Sequence, residues 1–165
     1  MAPVQIPNHI RFINYAGAGD LSGVNSMLEA GIPPAPGALS AAAWDGHCDV
    51  VKRLLEVGGH TAKELSKSLC LAVGAKRLKV VRLLLDEGAD PNAGSGEYLS
   101  VPVLLLAVRK GLGDLVQELL KLGANPDSHD MPGGAGLLGC DVNQTALMAA
   151  AVKGDLRIDR KSTRL

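Results

Sequence analysis

Few residues of this chain have the type and spacing for chemistry. His129, Asp130, Cys140 and Asp141 share one stretch and carry metal-ligating groups. Their spacing matches no zinc pattern, and Pro132, Gly133, Gly134, Gly136 and Gly139 between them provide no rigid frame. Ala16-Gly17-Ala18-Gly19-Asp20 has glycines of the kind that cradle phosphate. It lacks the G-x-G-x-x-G spacing and a preceding strand, so termination of a helix is the better account. His47 has no nucleophile and orienting acid arranged around it. No catalytic residue, metal ligand or cofactor is therefore expected.

The elements that carry these residues recur. Gly31, Gly58, Gly88 and Gly123 follow one another at steps of 27, 30 and 35 residues. Each is preceded by an apolar helix end: Ser26-Met27-Leu28-Glu29-Ala30, Arg53-Leu54-Leu55-Glu56-Val57, Leu83-Leu84-Leu85-Asp86-Glu87 and Glu118-Leu119-Leu120-Lys121-Leu122. A helix end recurring in this way marks a stacked repeat protein. Val50, Val51, Leu54 and Leu55 form a stripe at i, i+3, i+4 spacing; Val80, Val81, Leu84 and Leu85, then Leu115, Val116, Leu119 and Leu120, repeat it. Upstream of each stripe lies a second unit with small residues, such as Ala42-Ala43 and Ala72, which lets helix pairs approach closely. A lone pair cannot bury its own stripe, so neighbours must stack. The glycine after each second helix suits a left-handed cap, and Asp90-Pro91-Asn92 and Asn125-Pro126-Asp127 are turn chemistry.

These units resemble the ankyrin repeat family, whose pattern is a T-P-L-H-x-A-A helix, a G-H turn, a V-V-x-L-L-L helix and a G-A-D-x-N turn. The best match is Leu39-Ser40-Ala41-Ala42-Ala43-Trp44-Asp45-Gly46-His47-Cys48-Asp49-Val50-Val51, and the resemblance covers Ile10 to Ile158. It implies an all-α fold: an α-solenoid of stacked helix-turn-helix repeats with short finger loops. The domain organisation read from it is a leader at 1–9, a repeat domain at 10–158 of about five repeats with the last truncated, and a long finger loop at 124–144.

Departures from the pattern carry their own expectations. Lys76 sits where other units have Gly19, Gly46, Gly111 and Gly154. Either Lys76 adopts a left-handed backbone at a cost of about 1 kcal/mol, or the turn shifts to Gly74. The connection from Gly31 to Leu39 is short and carries Pro33, Pro34 and Pro36, so no full hairpin finger is expected there. Arg11, Asn14, Asn25 and Ser26 are expected to give the first repeat a polar outer face. After Ile158 the second helix of the fifth unit should continue, but Asp159-Arg160-Lys161-Ser162-Thr163-Arg164-Leu165 follows. That stretch, 159–165, resembles a translated sequencing adapter. The alternative is a Thr-x-Leu carboxylate resembling a ligand of PDZ domains.

Composition narrows the class. Apolar content is 47% but aromatics only 2%, which suits an Ala/Leu/Val core between stacked helices. A formal net charge of zero gives no electrostatic footprint for nucleic acid. Three scattered cysteines argue against a disulfide framework, and Cys70 is expected in the core. With no apolar run of about 18 residues and no signal peptide, a cytoplasmic or nuclear monomer without a membrane partner is expected.

The resemblance moves the search for function to exposed faces. In the family the first helices and fingers line a concave face, and the two residues before each turn point toward it. Here these are Gly17-Ala18, Trp44-Asp45, Gly74-Ala75, Arg109-Lys110 and Val152-Lys153. Trp44 is the sole tryptophan; it is either a partner contact, a residue type enriched at hot spots, or a filler over the Pro-rich turn. Arg109 and Lys110 could meet an acidic partner segment or cap a helix dipole. Glu97 and Tyr98 fall near a finger tip and suit contact. Trp44, Asp45, Glu97, Tyr98, Arg109, Lys110 and Lys153 are thus the expected partner-binding residues, and His47 is expected to order its turn through a backbone bond. The implied function is a protein-interaction module, scaffold or adaptor. The alternative is the N-terminal recognition or regulatory region of a larger multidomain enzyme or channel, truncated here.

Overall fold

The computed structural model describes residues 6–95 and 99–128. Eight helices lie within them: α1 Asn8–Ala18, α2 Leu21–Glu29, α3 Ala38–Asp45, α4 Cys48–Val57, α5 Ala62–Gly74, α6 Leu78–Asp86, α7 Val103–Arg109 and α8 Gly113–Lys121. They form four consecutive helix pairs. Between α6 and α7 two short strands, β1 Gly94–Ser95 and β2 Leu99–Pro102, pair antiparallel as the stem of a finger. No strand forms between Gly31 and Gly37, as expected for that Pro-rich connection. The long finger beyond Ser128, the fifth unit at 145–158 and the tail at 159–165 lie outside the described residues.

The stripes of the second helices make the stack. Val50, Val51 and Leu54 of α4, Val80, Val81 and Leu84 of α6, and Leu115, Val116 and Leu119 of α8 are all buried. The fourth member of each stripe, Leu55, Leu85 and Leu120, is only half-buried and packs on the rim of the core, so the stripe is narrower than its spacing predicts. Helices α3 and α5 are sandwiched between neighbouring first helices and bury more. In α5, Ser68, Leu69, Cys70, Ala72 and Val73 are all inside. Each leucine that leaves water contributes about 1.5–3 kcal/mol toward stacking. Two buried hydroxyls face each other across the α3–α5 interface, Ser40 Oγ to Ser68 Oγ at 3.0 Å. Polar groups at such depth are tolerated when they satisfy one another.

The turn inside each pair has one geometry four times. The amides of Asp20, His47, Arg77 and Leu112 donate to the carbonyls of Tyr15, Ala42, Ala72 and Ala107, each closing a 6→1 loop over the end of the first helix. The residue inside that loop must be left-handed. Gly19, Gly46 and Gly111 supply it with φ of 73°, 91° and 71°. In the third pair Lys76 does so with φ 59°, the only non-glycine with positive φ among the described residues, while Gly74 stays helical. The first of the two expectations for this turn therefore holds. The reason is that the 6→1 bond fixes the register, and moving the turn to Gly74 would forfeit it.

The outer face of the first pair differs from its expected polar cap. Arg11, Asn14 and Ser26 are exposed, but so are Ile6 and Ile10, at 50% and 41%. Asn25 faces inward along the stack, where its Oδ1 accepts from Arg53 Nε at 2.9 Å.

Two outcomes test these features. Lys76→Gly removes the left-handed strain and should raise the unfolding free energy by about 1 kcal/mol, read as a higher urea midpoint; an unchanged midpoint would show that Lys76 is unstrained. Ser40→Ala or Ser68→Ala alone should destabilise by about 1–3 kcal/mol because each strands a buried hydroxyl. The double substitution should cost clearly less than the sum, and simple additivity would mean that the two hydroxyls do not depend on each other.

Candidate functional site

The turns inside successive pairs stack along one edge, tied by side chains at equivalent positions. His47 occupies the N-cap of α4, yet its ring does not cap that helix. Its Nε2 donates to the carbonyl of Gly17 at 2.9 Å, and the ring lies against Gly19, where any side chain would collide with it. His47 thus orders the turn through a backbone bond, as expected of it. One repeat on, Arg77 holds the same position, and its Nε donates to the carbonyl of Trp44 at 3.2 Å while its Cδ covers Gly46. In the fourth repeat the position is Leu112, which has no polar group to donate.

Asp20 stands at this position in the first repeat and does the opposite. It caps its own helix: Gly23 N donates to its Oδ1 at 2.9 Å, and the Ser22 hydroxyl does so at 2.7 Å. The Gly23 amide, followed by that hydroxyl, holds the Asp20 carboxyl below the usual carboxylate range.

Trp44 and Asp45 end α3 on this edge and lean in opposite directions. The carboxylate of Asp45 lies over Gly17 of the first repeat, 3.7 Å from where a Cβ would stand. The indole of Trp44 lies toward the third repeat, with Cζ3 4.0 Å from the corresponding point on Gly74. Trp44 remains 51% exposed. The Pro-rich turn is at the other end of α3, so Trp44 does not cover it. Two repeats along, Arg109 ends α7, where its charge suits the helix dipole; it is half-buried and engaged within the fold. Lys110 follows it and is exposed. Of the expected contact residues, the structure thus places Trp44, Asp45, Arg109 and Lys110 on one edge. Glu97, Tyr98 and Lys153 lie outside the described residues.

A second feature has no counterpart in the sequence reading. At the opposite end of α3 and α5 a groove of about 620 Å³ is lined by Pro33, Pro34, Pro36, Gly58, Lys63 and Lys67, among others. Its floor is built by one chain of polar contacts. His60 Nε2 donates to Leu54 O at 2.9 Å, His60 Nδ1 lies 3.6 Å from Glu64 Oε2, and Gly37 N donates to Glu64 Oε1 at 3.2 Å. Thr61 caps α5 by accepting from Glu64 N at 3.2 Å. In a capping box the Glu64 carboxylate would reach back to the cap residue's own amide. Here it crosses to the neighbouring repeat instead. The T-x-x-E spacing of Thr61 and Glu64 was visible in the sequence, but its target was not. Ser40 lines this groove and lies one helical turn before Trp44, so the groove and the indole share one face of α3.

No group of three or more His, Cys, Asp or Glu that could hold a metal occurs among the described residues, and His129, Asp130, Cys140 and Asp141 are not among them. No described helix is long and apolar enough to cross a membrane.

Among curated proteins, none matches the chain. The family model for ankyrin repeats, three copies, matches residues 38–130, more than half of the sequence. That span covers α3 to α8, and the α1–α2 pair before it repeats their turn geometry. By sequence match and by fold, the chain belongs to the ankyrin repeat family.

Proposed function

We propose that this protein binds a partner protein through the face formed by its first helices and the adjoining turns, with Trp44 as the central contact, and so acts as a scaffold or adaptor. Ankyrin repeats are in general protein–protein interaction modules and are typically non-catalytic. The observation that carries the reading is the position of Trp44: a large aromatic held half in solvent by a rigid helix end. Its main chain is fixed by Arg77 and its ring by the floor of Gly74. Such an aromatic gives up little conformational entropy on binding, which is why tryptophan recurs among binding hot spots. Asp45 beside it, and Lys110 two repeats along the same edge, supply polar groups. Specificity lies in residues of this face that packing leaves unconstrained.

Affinity capture with the full chain as bait, wild type against Trp44→Ala, tests the reading. The ring is half in solvent, so the variant should keep its melting curve. Captured partners should be lost or weakened by about thirtyfold, corresponding to about 2 kcal/mol. Capture unchanged for every partner would return Trp44 to a purely structural role.

A further inference from the structure

The charge on the face that carries Trp44 is not distributed as the overall balance suggests. The chain is neutral as a whole. Yet on the side of Trp44 facing the third and fourth repeats, the exposed charged side chains at the helix ends include Lys76, Arg77, Lys79 and Lys110, and Lys67 lies two turns back along α5 from Gly74. Asp114, in the first turn of α8, is the acid among them. On the other side the sign reverses: Asp45 leans over Gly17 of the first repeat, Asp20 stands at the N-cap of α2 in that repeat, and Asp49 lies in the first turn of α4. The indole of Trp44 thus stands at the boundary between an acidic and a basic half. It tilts toward the basic one, over Gly74, which has no side chain to obstruct it.

We infer that this half of the face receives an extended acidic segment of a partner protein, with one bulky apolar side chain seated on Trp44 and carboxylates running toward Lys110. The inference rests on the binding role given to Trp44 above and adds the chemistry and direction of the ligand. Packed helices lie about 8–10 Å apart and an extended chain advances about 3.3 Å per residue, so one repeat corresponds to about three residues of the segment. The cations of the third repeat then meet a carboxylate about three residues from the anchor, and Lys110 meets one about six residues away. Opposite charge across such a face sets orientation and association rate more than raw affinity. A nucleic-acid strand also couples stacking to basic grooves. It is disfavoured here because its phosphates continue at every step, whereas the basic run stops at Trp44 and meets Asp45 and Asp49.

The test uses the full chain and its single tryptophan as a built-in reporter. A synthetic peptide with one leucine and glutamates about three and about six residues beyond it is titrated, following Trp44 emission. Emission should change and saturate, and binding should weaken as salt rises. Replacing the glutamates by glutamine, or moving them to the other side of the leucine, should weaken binding at least tenfold. Lys110→Glu should do the same. Because Lys110 is exposed at a helix end, this substitution probes charge without the risk to folding that Arg77→Glu carries through its bond to Trp44. No saturation by about 1 mM peptide, indifference to the glutamates or to Lys110→Glu, or equal binding of a single-stranded oligonucleotide would overturn the inference. Partners captured in a Trp44-dependent way but insensitive to Lys110→Glu would leave the docking face standing and sink only the acidic ligand. Loss of Trp44 dependence would sink both.

Discussion

No helix pair in this protein can bury its own apolar stripe, and the rest of the structure follows from that constraint. Val80, Val81 and Leu84 are fully buried only because neighbouring pairs lie against α6. Stability is therefore a property of junctions, shared between neighbours, rather than of any one repeat. The first helices show this most plainly: α3 and α5, each with a first helix on both sides, bury Leu39, Ala42 and Ala43, and Leu69, Ala72 and Val73, completely.

The junctions are built from different polar contacts over a common apolar interface. Between the first and second repeats, His47 reaches Gly17 and Arg53 reaches Asn25. Between the second and third, Arg77 reaches Trp44, Ser40 meets Ser68, and Gly37 meets Glu64. Between the third and fourth, Leu112 cannot extend the turn ladder, and the contacts move to the finger side. There Asn92 Nδ2 donates to Gly123 O at 3.2 Å and its Oδ1 accepts from Asn125 N at 2.7 Å. Arg82 and Glu118 add an exposed pair at 3.5 Å, which contributes little in water. The tie thus moves from the turn edge to the finger side along the stack. The turn-edge bond recurs at the first two junctions and is lost at the third.

This economy shapes the face available for binding. Residues that hold junctions together, such as Arg77 and Glu64, also border the surface, while Trp44 stands half in solvent beside Gly74. A rigid floor beneath an exposed ring makes recognition inexpensive in entropy. The segregation of acidic and basic side chains to either side of Trp44 gives the face a direction that neither the net charge nor the composition reveals.

The sequence by itself determined the repeats, the buried stripes and the turns, because each is written in local rules. A helical face has a period of 3.6 residues, and a left-handed turn position favours glycine strongly enough that Lys76 stood out as an exception. Trp44, Asp45, Arg109 and Lys110 could be named as one edge because the turn positions recur. Only the tertiary structure decided what each side chain lies over. Asn25 turned from the expected cap to Arg53, Glu64 left its own helix start for Gly37, and Trp44 and Asp45 leaned to opposite neighbours. These partners sit about one repeat away in sequence, and the contact is set by how closely two helix pairs approach. That spacing depends on all the side chains of the interface together, so no single stretch of the sequence encodes it.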